Sequence, residues 1–151
     1  MILEVRSPLE GKVVPLSEVP DPVFAQAMVG PGIAVEPARR AGDAVSPVDG
    51  TVVTLHAHAF VVATGSGPAV LVHLGIDTVK LKGEGFTLHV AKGDTVRAGQ
   101  PLVSWDPSAV EAAGYSPVSP VIALDGTAAH LDGLRAQGPV AVGEPLFSWR
   151  L

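Results

Sequence analysis

The sequence predicts an all-β fold, a sandwich or flattened barrel of short antiparallel strands built by internal duplication. Three observations carry that expectation. Seventeen Gly and fourteen Pro punctuate the 151 residues every few positions. The pieces between them are short and rich in Val, Leu and Thr, which is the composition of strands bounded by turns. Two blocks of sequence also occur twice.

The first repeated block is SPLEGKVVPL at residues 7–16, which returns as SPVDGTVVTL at residues 46–55. The second is GDTVRAGQPLVSW ending at Trp105, which returns as GPVAVGEPLFSW ending at Trp149. Each copy is expected to bury its apolar face against the other. Helix is confined to two short stretches: PVFAQA following Asp21, and PSAVEAAG with Ser108 as N-cap and Gly114 as terminator. TVKLK at residues 78–82 alternates, with Val79 and Leu81 on one face, and reads as a strand. TGSGP at residues 64–68 is a hairpin turn between HAFVVA and AVLVHLG. A turn symmetric about the bond between Gly65 and Ser66 pairs residues whose numbers sum to 131, so His58 faces His73.

Composition narrows the function classes. One domain over residues 1–151 is expected, large enough to hold a core without disulfides or a structural metal. Hydrophobic residues make up 47% and charged residues only 17%, which leaves apolar surface for docking onto other proteins. A net charge of -5 gives no basic footprint for nucleic acid or anionic lipid. The absence of Cys removes thiolate metal sites and Cys nucleophiles. The chain starts without a signal-like segment, and no apolar run approaches the ~20 residues of a membrane span. A cytoplasmic location without direct membrane insertion is therefore expected.

The histidines carry the chemistry. In the 131 register His58 and His73 are directly opposed, with Cβ atoms ~4.5–5.5 Å apart, and period two along the strand adds His56 to the same face. Two imidazoles at that distance disfavour double protonation, so one ring is neutral near pH 7. A neutral ring nitrogen can attack phosphorus, and its neighbour can hydrogen-bond the developing charge. Partly buried histidines without chemistry account for the same pattern, and both readings stand at this point. Asp77 has the spacing either of a residue reaching back over the site or of a turn former before Thr78. His89 and His130 read as solvated.

At these residues the sequence resembles a known family. AHAF around His58, VHLGIDTVKLKGEGF at residues 72–86 and VPDPVFAQAMVGPGIAV at residues 19–35 are similar to the IIA component, glucose family, of the bacterial phosphoenolpyruvate-dependent sugar phosphotransferase system. The similarity runs over nearly the whole chain. The resemblance implies a duplicated β-sandwich and a phosphocarrier that takes a phosphoryl group from the small protein HPr on His58 and passes it to a IIB domain. It implies that His73 supports the phosphorylated ring, and that Asp21 and Asp77 meet basic residues of the donor. It also implies that Phe24, Met28, Val29, Leu71 and Val79 form an apolar docking patch, a role that ordinary core residues would mimic. Regulatory protein targets beyond HPr and IIB stay open. The resemblance implies no required cofactor, with zinc at His58 and His73 as a further ligand borrowed from family members. Where familiar members carry Thr two residues before the acceptor, this chain has His56. It also lacks an amphipathic N-terminal extension, so no membrane-surface anchoring is expected.

Two other classes compete. A zinc-dependent hydrolase of related fold could use His56, His58, His73 and Asp77 as a metal shell. In such lysostaphin-type enzymes, however, the His-x-x-x-Asp element precedes the His-x-His element, the reverse of the order here. A biotinyl or lipoyl carrier would present a Lys at a hairpin tip beside Met, and neither Lys80 nor Lys82 has that setting.

Overall fold

The computed structural model describes residues 1–151. In chain order the elements are β1 (Ile2–Arg6), β2 (Gly11–Pro15), α1 (Pro22–Ala25), β3 (Gly32–Pro37), β4 (Gly42–Val45), β5 (Gly50–Leu55), β6 (Ala59–Ala63), β7 (Ala69–His73), β8 (Thr87–Leu88), β9 (Thr95–Val96), β10 (Pro101–Trp105), α2 (Pro107–Ala112), β11 (Ser119–Ala123), β12 (Leu131–Asp132), β13 (Gly138–Val140) and β14 (Pro145–Arg150). All strand pairs are antiparallel. They form one eight-stranded sheet, β13-β2-β3-β11-β7-β6-β5-β9, and two three-stranded sheets, β1-β14-β12 and β4-β10-β8. The all-β class and the duplication are as the sequence predicts.

The duplication is visible down to individual hydrogen bonds. The Ser7 hydroxyl donates to Leu9 O at 2.6 Å, and the Ser46 hydroxyl donates to Val48 O at 2.7 Å. Arg6 N donates to Pro47 O while Val45 N donates to Pro8 O, both at 3.0 Å, so the two Ser-Pro turns clasp each other about a pseudo-twofold axis. Under that symmetry β1, β2, β3, β11, β12, β13 and β14 form one copy, and the continuous run from β4 to β10 forms the other. The second copy is thus inserted into the first.

The inward faces meet in one cluster of 25 buried residues drawn from both copies, including Val5, Phe147 and Trp149 from one and Val52, Phe60 and Leu102 from the other. Side chains alternate across each strand. In β7, Val70 and Val72 face this core while Leu71 and His73 face outward. The outward face of β3, β11 and β7 is covered by α1 and its flanking loops, which build a second cluster around Leu16, Val19, Phe24, Ala34, Ile76, Val118 and Ile122.

Three local expectations are corrected. The turn after β6 is one residue longer than the symmetric form: Thr64 N bonds Pro68 O and Gly67 takes φ +111°. The hairpin numbers therefore sum to 132, with Ala59 opposite His73. Residues 78–82 are not a strand. Thr78–Leu81 form a turn of 3₁₀ helix between Asp77 at φ +60° and Lys82 at φ +54°, because those left-handed residues end extended backbone on either side. In α2 the cap is Asp106, whose carboxylate accepts from Ser108 N at 3.0 Å, rather than Ser108 itself.

Glycine is required where strands of each copy touch. A Cβ on Gly11 would lie 2.1 Å from Glu36 O, and one on Gly50 would lie 2.2 Å from Ala63 O, which is the same clash in the two copies. At Gly65 a Cβ meets nothing within 4 Å. Gly50→Ala is expected to lower stability by about 2–4 kcal/mol and Gly65→Ala to change it by less than about 0.5 kcal/mol. Urea unfolding midpoints of the two variants against the parent chain check this.

Candidate active site at a cluster of three histidines

His58 does not lie on a strand. β5 and β6 are joined by a two-residue turn, Ala57 and His58, closed by His56 N donating to Ala59 O at 2.8 Å. That turn puts His56 at its base and His58 at its tip. His58 O then accepts from Leu74 N at 2.7 Å, which ties the turn to the end of β7 beside His73. The expected proximity therefore holds, through a turn and a tie rather than a cross-strand register. The ring centroids of His58 and His73 are 5.2 Å apart in an edge arrangement at 69°. Those of His56 and His58 are 5.6 Å apart and stacked at 21°.

His73 is held from beneath. Its Nδ1 meets Gly75 O at 2.5 Å, and as the carbonyl can only accept, Nδ1 carries the hydrogen. In the neutral ring the other nitrogen, Nε2, is then the one with the lone pair. Gly75, at φ +78°, is itself fixed: its N–H meets the Ser119 hydroxyl at 3.3 Å, and Ile76 N donates to Ser116 O at 2.8 Å. The Thr78 hydroxyl donates to Leu74 O at 2.7 Å and closes the loop. A Cβ on Gly75 would meet Thr78 at 2.7 Å, so no larger residue fits. Phe24 packs on the His73 ring at 5.1 Å. From sequence, Gly75, Ser116, Thr78 and Ser119 had no expected part in the site. The glycine in HLGID was a legible signal, whereas nothing in the sequence marked the serines.

The electrostatics follow from burial. His58 is half-buried, and desolvation, aided by the like charges of His73 and His56, pushes its pKa down to about 4. Its ring is therefore neutral at pH 7. Burial also lowers His73, against the Gly75 carbonyl and the charges of Asp21 and Asp77, which favour its protonated form. A neutral, accessible nitrogen beside a second ring that two carboxylates prepare to take a proton is suited to receiving a transferred anionic group.

Of the remaining expected residues, Asp21 and Asp77 act on His73 through their charge and Phe24 packs on its ring. Asp21 caps α1, its carboxylate accepting from Val23 N at 2.9 Å, and its charge reaches His73. Asp77 is exposed at its left-handed turn position and also acts on His73, so it is turn former and charge at once. Met28 and Val79 are exposed at 67% and 58%, and Val23 joins them at 39%. Val29 and Leu71 are half-buried against the second cluster, and Phe24 is buried within it. The expected docking residues are thus partly surface and partly core. No group of three or more His, Cys, Asp or Glu is arranged to hold a metal ion, which removes the shell of His56, His58, His73 and Asp77 that a zinc hydrolase needs. No helix is long and apolar enough to cross a membrane.

Residues 3–128 match the model of a family described as phosphoenolpyruvate-dependent sugar phosphotransferase system, EIIA 1. The chain is 47% identical over 122 residues to the glucose-specific EIIA component of Oceanobacillus iheyensis, covering 80% of this chain and 73% of that one. It is 40% identical over 146 residues to the β-glucoside-specific EIIBCA component of Bacillus subtilis, covering 95% of this chain and 24% of that protein. The fold superimposes on glucose permease IIA from Mycoplasma capricolum with a TM-score of 0.89 at 35% identity, covering 98% and 96% of the two chains.

Because folded His58 titrates at about 4 and an unperturbed histidine at 6.5, the unfolded chain binds more protons between those values. The contribution of His58 to stability is therefore complete above about pH 6.5 and is lost as pH falls toward 4. His58→Asn is expected to flatten the loss of melting temperature over that window. In the parent chain the His58 ring resonances should titrate near pH 4, and in His73→Asn the midpoint should rise part of the way back, since burial persists.

Proposed function

This chain belongs to the EIIA 1 family of the phosphoenolpyruvate-dependent sugar phosphotransferase system, and from that premise we propose that His58 is its phosphoryl acceptor and His73 the ring that supports it. As a member of the family the chain is a phosphocarrier: it receives the group from HPr and passes it to a IIB domain. The observation that carries the residue assignment is the neutral His58 ring at a turn tip, 5.2 Å from a His73 ring anchored on Gly75. The His58 lone pair attacks phosphorus as the donor's nitrogen–phosphorus bond breaks, and the donor imidazole leaves with the bonding electrons. Little covalent chemistry is asked of the protein beyond placing the ring and compensating the charge.

Asp21 and Asp77 then face basic groups of the donor, with Met28, Val79 and Val23 as its apolar contact and Val29, Leu71 and Phe24 beneath them. We read residues 1–151 as one such domain, because both copies share a single core. A cytoplasmic location fits the supply of phosphoenolpyruvate. The carrier reaction needs no cofactor. Zinc at His58 and His73 would find only two imidazoles of a tetrahedral shell, so further ligands would have to come from another chain, and no step of the transfer uses the ion.

His58→Gln is expected to abolish labelling by phospho-HPr, read as intact mass after incubation with phosphoenolpyruvate, enzyme I and HPr. An acid-labile adduct retained on His56 or His73 in that variant would overturn the assignment. His73→Gln keeps a hydrogen-bond donor but cannot become an imidazolium. Loading from phospho-HPr should therefore survive better than discharge to IIB, in paired rapid-quench time courses. Equal slowing of both steps would reduce His73 to a shaper of the pocket.

A further inference from the structure

Phosphorylation brings about -1.5 to -2 of charge to His58 at neutral pH. The fixed charges already at the site are the wrong sign, since Asp21 and Asp77 are the carboxylates that act on His73. The charges that act on His58 are those of His73 and His56. Compensation from within the chain must therefore come from imidazoles. His73 has one nitrogen to offer, because Nδ1 is committed to Gly75 O. The only other histidine ring nitrogen hydrogen-bonded within the chain is Nε2 of His89, on Ser104. His56 is exposed, and both its ring nitrogens are free to turn toward a ligand.

The stack of His56 on His58 decides what His56 can do. Transfer between two nitrogens requires both to lie roughly in line through phosphorus. Rings stacked at 21° with centroids 5.6 Å apart hold their in-plane lone pairs side by side, so His56 cannot attack a group on His58 in this arrangement. The oxygens of that group, however, project above and below the His58 plane, and His56 occupies one of those sides.

We propose that His56 is a phosphoryl-binding residue, the solvent-side hydrogen-bond donor to the group on His58, so that the group is held between two imidazoles. His73 grips it from the interior and His56 from the surface. Both sit on rigid backbone: the His56 N–H closes the turn, and His73 ends β7. This proposal rests on His58 being the acceptor.

The phosphoryl exchange equilibrium between phospho-HPr and this chain reads the interaction directly, because the hydrogen bond exists only in the phosphorylated form. His56→Ala should shift that equilibrium toward phospho-HPr by about tenfold, quantified by intact mass of both proteins. His56→Gln, which keeps a donor, should recover part of the shift. The 31P resonance of phospho-His58 should move in His56→Ala, and the His56 ring 15N resonances of the parent chain should change on phosphorylation. An adduct on His58 with the same equilibrium constant and 31P shift in His56→Ala and parent overturns the proposal alone. An adduct mapped to another residue overturns the acceptor assignment and this proposal together.

Discussion

The reciprocal pair of hydrogen bonds from Arg6 N to Pro47 O and from Val45 N to Pro8 O is the constraint on which the rest of the architecture depends. Each bond joins one copy of the repeat to the other, and proline can take part only as an acceptor. The bonds on either side stay within each copy and match from one copy to the other. Ser7 N bonds Glu144 O and Ser46 N bonds Gln100 O, while Gly143 N returns to Ser7 O and Gly99 N returns to Ser46 O. A backbone group buried at such a junction is costly if unpaired. Each copy therefore completes the polar groups of the other before any apolar contact is counted. The eight-stranded sheet then reads alike from its two ends, with β7 and β11 at the axis.

Symmetry of backbone did not bring symmetry of chemistry. The tie from Leu74 N to His58 O has its counterpart in Ala123 N donating to Pro31 O at 2.8 Å. By the strand registers, Pro31 therefore stands where His58 stands and Ile122 where His73 stands. Neither can carry a phosphoryl group. Where the second copy has the two-residue turn Ala57-His58, the first has a long segment holding α1. That segment folds over the outward face of β3, β11 and β7 and lays Phe24 against the His73 ring. One copy supplies the three histidines and the other supplies the apolar wall beside them.

What the sequence disclosed follows from how local each cause is. The duplication was legible because the same Ser-Pro turns, glycines and Pro-Leu-x-Ser-Trp strands recur. The helix of residues 22–25 was legible from Asp21 and Pro22, a cap and a first-turn proline in sequence. The hairpin register was not, because a three-residue turn ending at Gly67 and a symmetric turn share the same residues, and one residue moves every pairing. Nor was the fate of residues 78–82, where five alternating residues could not outweigh left-handed backbone at Asp77 and Lys82. The histidine cluster was found despite the wrong register. What brings His58 to His73 is the non-local tie from Leu74, while the motif around His58 and the HLGID segment were themselves visible. The hydroxyls of Ser119 and Thr78, which hold Gly75 under His73, act through chain distances of 44 and 4 residues with no pattern to announce them.

The three rings form a gradient of exposure, from His56 at the surface through half-buried His58 to His73 with its ring on Phe24 and Gly75. With His58 as the proposed acceptor, the gradient reconciles two opposed requirements. An acceptor must be neutral to attack, which calls for burial, yet it must be reached by two proteins in turn, which calls for exposure. Half-burial at a turn tip satisfies both, since desolvation keeps the ring neutral while its outer edge stays open. A fully buried His58 would lose its donor, and a fully exposed one would be protonated for part of the time near neutrality. The deeper ring can then be the one that takes up a proton when the anion arrives, because the Gly75 carbonyl and the charges of Asp21 and Asp77 offset part of the penalty that burial imposes on it. In that assignment nucleophile and charge partner are the same residue type, and their roles are separated by depth in the structure.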